Sequence, residues 1–361
     1  MTLNESNILK REASSGSHAS IRYNVPAKLK SALAVMSPWS SQHRKSRCGS
    51  IYTGLEIGTG IDQEEIRLRI GMTALGIGKA AQPGIIRVVT ENADRLGFGT
   101  LWAPEHVVLF DEYASKYPYS QDGRFLAGST IDLLDPFIGL TYAAAYSARI
   151  RLATGICLVP EHNPLVLAKV IASLDSLSRG RVALGVGIGW SAEEFAALGI
   201  PFERRAQRTC EYIEAMRKLW KQPKASFDGE FVRFEGVRCY PKPAQTGGVP
   251  IIFGGESLPA LKRVARYGNG WFGVNLTPAQ AAQKITRLHE LLDEQGRNHK
   301  EVEIIISPYQ NEVTGDDLCA YHELGVNEFV PFIRLPGREA EIPGFLEQVA
   351  RQWVEPAARL A

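Results

Sequence analysis

The chain begins without a pattern and then acquires a regular one. Over residues 1–65 no amphipathic period persists. The stretch is serine-rich and basic, with eight Lys or Arg in its first 50 residues. Its apolar piece, Ala32-Leu33-Ala34-Val35-Met36, is too short for a secretory core. It reads as a disordered extension, a transit peptide or the product of an upstream mis-assigned start codon, the last being slightly favoured. From residue 67 short apolar runs, many bounded by glycine, alternate with stretches of helical spacing. The runs predict strands over 70–77, 100–103, 151–158, 182–186, 249–253, 270–274, 302–306 and 328–332. Helix signals lie between them. Pro83 starts the first helix and Gly97 ends it; Asp135-Pro136, Asn163-Pro164 and Ser257 cap later ones. Ser191 and Glu194 match a capping box. Further helices are predicted over 205–220, 278–294 and 316–324, and from about Glu339. Phe227, Phe231, Val232 and Phe234 around Asp228-Gly229 predict a hairpin inserted at 225–243. Residues 104–134, rich in Tyr, Ser, Asp and Gly, predict a long irregular loop, and loops of that length are usually lids or binding loops.

Strict alternation implies a parallel sheet. Eight such units imply an α/β fold of the (β/α)8 barrel type over residues 66–361, with a doubly wound open sheet as the alternative. In a barrel the active site lies at the C-terminal ends of the strands, and the unusual residues gather there. Glu105 and His106 follow strand two; Gly155, Pro160, Glu161, His162 and Asn163 follow strand three. Gly187, Gly189 and Trp190 follow strand four; Gly254, Gly255 and Glu256 follow strand five. Bare backbone leading into capped helices suits a long, flat ligand with a phosphate. Each residue also has a plainer reading. The glycines can serve close packing, the histidines can bond to nearby backbone, Glu105 can be an anchor, Trp190 can be core, and Asp175 suits a structural hydrogen-bonding role.

Composition narrows the classes only a little. The chain of 361 residues is 45% hydrophobic and 22% charged, with a formal net charge of +2 that decides nothing about charged partners. No apolar run approaches the roughly 20 residues of a membrane span. Five cysteines without C-x-x-C spacing fit a reducing, cytoplasmic setting and no cysteine metal site. Strand one ends without a ligand, and His289, His299 and His322 fall on or beside helices, so no metal is expected. No nucleophile elbow or Cys-His pairing is present, which points to chemistry carried by a cofactor.

Four runs carry a family resemblance: residues 96–106 (LGFGTLWAPEH), 163–169 (NPLVLAK) with Leu174-Asp175, 180–190 (GRVALGVGIGW) and 254–257 (GGES). Together they resemble the bacterial luciferase-like flavin/deazaflavin superfamily, and most closely its F420-dependent oxidoreductases, over about residues 67–355. The resemblance implies a barrel with an insertion region, often homodimeric, with a reduced deazaflavin or flavin lying across the strand ends. It implies a non-proline cis peptide at Gly155-Ile156 behind the ring. Gly155, Ile156, Asn163, Gly187, Gly189, Trp190, Gly254, Gly255 and Ser257 would then line the cofactor. His106 would be the proton donor or substrate anchor, with Glu105 orienting the site. Trp190 stands where related sugar-phosphate dehydrogenases carry a catalytic glutamate, which argues against that substrate. The expected activity is hydride transfer between coenzyme F420 and a small organic substrate, with no nucleic-acid or membrane partner. An FMNH2- and O2-dependent monooxygenase and a non-catalytic flavin-binding barrel are the alternatives.

Overall fold

The structure is a computed structural model that describes residues 67–73 and 75–360. The expected extension over 1–65 lies outside the described residues. Eight strands form the barrel: β1 (Arg69–Ile70), β2 (Thr100–Ala103), β3 (Arg151–Thr154), β5 (Val182–Gly187), β8 (Ile251–Gly254), β9 (Gly270–Val274), β10 (Glu303–Ser307) and β11 (Glu328–Phe329). They pair in parallel, in the order β1-β11-β10-β9-β8-β5-β3-β2. An isolated parallel bridge between Met72 and Leu101 joins the two ends of that order and closes the ring. β4 (Cys157–Leu158) continues along β5, and β6 (Ala225–Asp228) pairs antiparallel with β7 (Arg233–Val237) as the inserted hairpin.

The helices are those that the caps predict. α1 (Pro83–Leu96) ends on Gly97 at φ 83°, where a left-handed residue costs glycine nothing. α2 (Pro136–Ala144) and α3 (Pro164–Leu177) start on the side chains of Asp135 and Asn163. A short α4 (Ala192–Ala197) follows β5. α5 (Arg205–Lys221), α6 (Leu258–Tyr267), α7 (Pro278–Glu294) and α8 (Gly315–Glu323) complete the outer ring with α9 (Ile342–Val349) and α10 (Glu355–Ala357). Among the described residues no helix is long and apolar enough to cross a membrane.

Three expectations need correcting. The first strand is far shorter than 70–77, because the chain turns through Gly76 and Gly78, both at positive φ. The eighth is likewise two residues long. The third is broken after Thr154 by a cis peptide bond at Gly155-Ile156, the bond that the resemblance implies.

Inside the barrel, Trp102, Ala153, Ala183, Ile252, Phe272, Ile305 and Val330 form one apolar cluster. Trp102 meets Phe272 edge to face at 4.7 Å. The N-terminal end is closed by charge. Glu328 is fully buried and accepts from Thr100 Oγ1 at 2.9 Å and Trp102 Nε1 at 3.1 Å. Arg69 reaches both Glu328 and Glu303, and Arg151 reaches Glu303 at 2.7 Å. Filled below and sealed at the bottom, the barrel leaves its opposite mouth for a ligand. Asp175 has the structural role expected of it, bonding Val182 N and the Gln245 side chain.

Candidate active site

Glu105 and His106, adjacent in sequence, serve different parts of the mouth. Past the end of β2 the chain is irregular, and the two side chains find separate partners. Glu105 is buried and accepts from Leu158 N at 2.5 Å and pairs with His162 Nε2 at 3.0 Å. The buried Cys157 thiol also bonds to it, and burial, then Glu105, pushes that thiol's pKa up. Burial alone would lower the pKa of His162; the Glu105 hydrogen bond and charge outweigh it and raise it. The carboxylate, thiol and imidazole atoms lie within 4.8 Å of one another, but hydrogen bonds within the trio occupy them. Glu105 thus pins the 155–162 segment and does not touch His106.

His106 is instead held by Glu194, whose Oε2 lies 2.7 Å from its Nδ1. The other Glu194 oxygen accepts from Val107 N at 2.6 Å and Val108 N at 3.2 Å. Ser191 caps α4 by accepting from Glu194 N, so half of the predicted capping box forms. The Glu194 side chain leaves its own helix terminus for the β2 loop, where two amides and an imidazole offer more than one N-cap amide. Trp190 Nε1 donates to His106 Nε2 at 3.4 Å, and Trp190 and Phe125 meet the imidazole edge to face. The arrangement assigns the Nδ1 proton to the Glu194 side and leaves Nε2 as the acceptor.

The glycines are spaced for a side chain as well as for a ligand. A Cβ at Gly187 would come within 2.6 Å of Ile156 Cδ1, and one at Gly254 within 2.9 Å. Both are closer than real Cβ contacts allow, so the two glycines seat Ile156, the residue after the cis bond. Gly189 has φ +77°, and a Cβ there would also press on Phe195. Gly155 and Ile156 remain partly exposed at the mouth. Asn163 and Ser257, expected on the cofactor, spend their side chains as caps of α3 and α6. Gly255, at φ +108°, makes the turn into α6.

The 104–134 loop spans the mouth. Glu193 fixes its near part, accepting from Ala114 N at 2.7 Å and Ser115 N at 3.2 Å, while Ser115 Oγ accepts from Ala192 N. Burial would raise the Glu193 pKa; the hydrogen bonds from Ser115 and Ala114 pull it down to about 2. Farther along, Tyr119 bonds Glu256 after β8 and Tyr117 bonds Tyr309 after β10. Burial raises both tyrosine pKa values. Tyr113, Tyr117 and Trp190 pack edge to face at 5.4–5.5 Å. The loop's far end is tied back by Gly78 N to Asp132 O and Leu134 N to Gly76 O. Between loop and α4 lies a cavity of about 280 Å³, lined by His106, Tyr113, Phe125, Trp190 and Glu194 among others.

Sequence reading alone missed Glu193, Glu194 and the loop tyrosines as site residues. Glu194 carried a signal, but its match to a capping box disguised it. A test of fit for the implied deazaflavin or flavin is the state of the polar groups at the mouth. Thr73 Oγ1, both Glu161 carboxyl oxygens and Asn275 Oδ1 are buried without a hydrogen-bond partner. All three residues follow barrel strands or β4. Buried polar atoms normally have partners, so polar orphans beside bare glycine backbone fit a planar group with polar edges.

The chain is similar to known proteins in sequence and in fold. An uncharacterized protein of Mycobacterium tuberculosis, Rv0953c, is 35% identical over 264 residues, 72% of this chain and 90% of that protein. The FMNH2-dependent dimethylsulfone monooxygenase of Pseudomonas fluorescens is 27% identical over 226 residues, 62% of this chain and 60% of that one. A solved F420-dependent secondary alcohol dehydrogenase superposes with a TM-score of 0.64 at 18% identity, covering 81% of this chain and 99% of that one, a likeness of fold. The model of the luciferase-like monooxygenase family matches residues 72–310, and the chain belongs to that family.

Proposed function

We propose that the chain is an oxidoreductase that moves a hydride between coenzyme F420 and a small organic substrate. The observation that carries the reading is the His106–Glu194 pair, which lines a cavity walled by Tyr113, Phe125 and Trp190 between the loop and α4. Bound there, the deazaflavin supplies a hydride position. The chain's own groups do the rest. Ile156 and the Gly187, Gly189, Gly254 and Gly255 backbone form a floor on which a ring can lie. His106, with Nδ1 committed to Glu194, exchanges protons only at Nε2, and the Glu194 carboxylate steadies the imidazolium that forms. The long Trp190 bond to Nε2 is one that a substrate hydroxyl can replace, donating in its stead. Tyr113 and Phe125 supply apolar wall to the cavity beside the imidazole.

A second reading is supported by the 27% identity to an FMNH2-dependent monooxygenase: reduced FMN in the same place and O2 as co-substrate. The discriminating experiment is a parallel titration with F420 and FMN, read by tryptophan fluorescence. Micromolar F420 binding with weak FMN binding supports the first reading. Tight FMN binding alone, followed by oxygen uptake with reduced FMN, replaces it with the second. Binding of neither leaves a barrel without this chemistry.

The reading includes a homodimer. Ile138 and Tyr142 of α2, and Val166, Val170 and Leu177 of α3, are exposed at helical spacing on two helices that pack side by side. An apolar stripe of this kind on paired helices suits a second copy of the chain.

A further inference from the structure

The least expected group at the mouth is Glu161. It follows β4, is 7% exposed, and neither carboxyl oxygen has a hydrogen-bond partner. A buried carboxylate is ordinarily paired or hydrogen-bonded. Among the described residues no Lys, Arg or His side chain forms an ion pair with it; His162, next in the chain, is paired with Glu105. Its neighbours make ionisation worse. The charges of Glu194, which holds His106, and of Glu105, which holds His162 and Cys157, both act against it. Arg205, which bonds the Gly189 carbonyl at 3.1 Å, is committed there and stacks on Phe202. A Cβ added to Gly189 would lie 3.1 Å from Glu161 Oε1, so the carboxyl borders the bare turn after β5.

We infer that Glu161 is kept uncharged and serves as the proton donor to the reactant bound across the strand ends. The inference rests on the proposed oxidoreductase reading. In the reducing direction, a hydride from the reduced cofactor adds to one end of a polarised double bond. The π electron pair moves to the other end, and that atom takes the acid proton as the Glu161 O–H bond breaks. The carboxylate left behind recovers its proton from water admitted to the mouth as product leaves. The substrate class is therefore a carbonyl, imine or activated alkene, whose reduction needs one hydride and one proton. His106 then need not carry the proton itself. The electrostatics agree: burial first, then the Glu194 and Glu105 charges, pushes the Glu161 pKa up to about 9.

The test uses the full chain and the substitution Glu161→Gln, which keeps shape and removes the titration. Two readouts need no cofactor. The infrared difference between the two proteins at pH 7 should contain a carboxylic-acid carbonyl band from the wild type. The unfolding midpoint of the wild type should fall relative to the variant as pH rises from 4.5 to 9. In that window the folded chain holds a proton that the unfolded chain releases. A third readout is turnover with a carbonyl substrate and reduced F420 or FMN, expected to drop about 10²–10⁴-fold, the usual share of a general acid. Its loss should be accompanied by loss of the basic limb of the pH profile. Absence of the band, with parallel midpoint curves, overturns the inference. A band that vanishes while turnover and its pH profile stay unchanged also overturns the donor role. If the variant does not fold, titration of the band in the wild type decides, with disappearance near pH 9 expected and absence at pH 6 contrary. Failure of the wild type to bind F420 or FMN overturns the proposed function and the donor role, and is separable because the first two readouts do not depend on it.

Discussion

Glu194 Oε2 lies 2.7 Å from His106 Nδ1, although 88 positions separate the two residues. The same carboxylate holds the amides of Val107 and Val108. One side chain therefore sets both the imidazole's tautomer and the root of the loop above it. Glu194→Ala should leave these partly buried donors to water and cost about 1 kcal/mol of stability, read by urea unfolding. Turnover should fall about as far as in His106→Ala, because both changes remove the held imidazole. Turnover of Glu194→Ala at the wild-type level, once a substrate is in hand, would show that the pair is structural.

The Glu193 contact makes the loop sensitive to acid. Its folded pKa, about 2, lies below its ordinary 4.5. The contact is thus intact above about pH 4.5 and is lost as pH falls toward 2. Trp190 packs against Tyr113 and Tyr117 of the loop, so its fluorescence should report release over that range. Glu193→Ala should give the released signal at pH 7. An unchanged signal in that variant would assign the loop's hold to the Tyr119–Glu256 end.

Gly187 and Ile156 should behave as a coupled pair. Gly187→Ala alone overpacks against Ile156 and should cost about 1–3 kcal/mol. Adding Ile156→Ala should recover part of that loss, giving a favourable interaction term in a double-mutant cycle. Strictly additive losses would mean that backbone, and not Ile156, limits the space at Gly187.

Much of this was legible in the sequence. Pro83, Gly97, Asp135 and Asn163 mark helix ends through local chemistry, so local reading places them. β9 and α7 fall where their periodicity puts them. β1 was overestimated because an apolar residue after a glycine turn looks like one inside a strand, and β11 because its apolar run continues past Pro331, which has no N–H to give a ladder. Histidine at the end of β2 was visible, but its partner was not. Glu194 meets His106 only because α4 folds over the β2 loop, and no local spacing encodes that contact. Glu161 was visible as a polar residue at a strand end; its lack of any partner is a property of the assembled mouth.

The exposed stripes of α2 and α3 yield a test of assembly. Val166→Glu combined with Leu177→Glu should shift a dimer to monomer in light scattering. A wild-type chain that is monomeric at all concentrations would remove the dimer from the reading.

Glu328 has a consequence for the order of assembly. It belongs to the last strand, yet it holds Thr100 and Trp102 of the second and Arg69 of the first. During synthesis, Trp102 emerges some two hundred residues before the acid that satisfies its indole N–H. Until then the first strands hold an open edge and the arginine and the indole wait unmatched, so the ring closes as a late event. A nascent chain arrested before Glu328 should remain open to proteases along β1 and β2, and release of the last few dozen residues should protect them together.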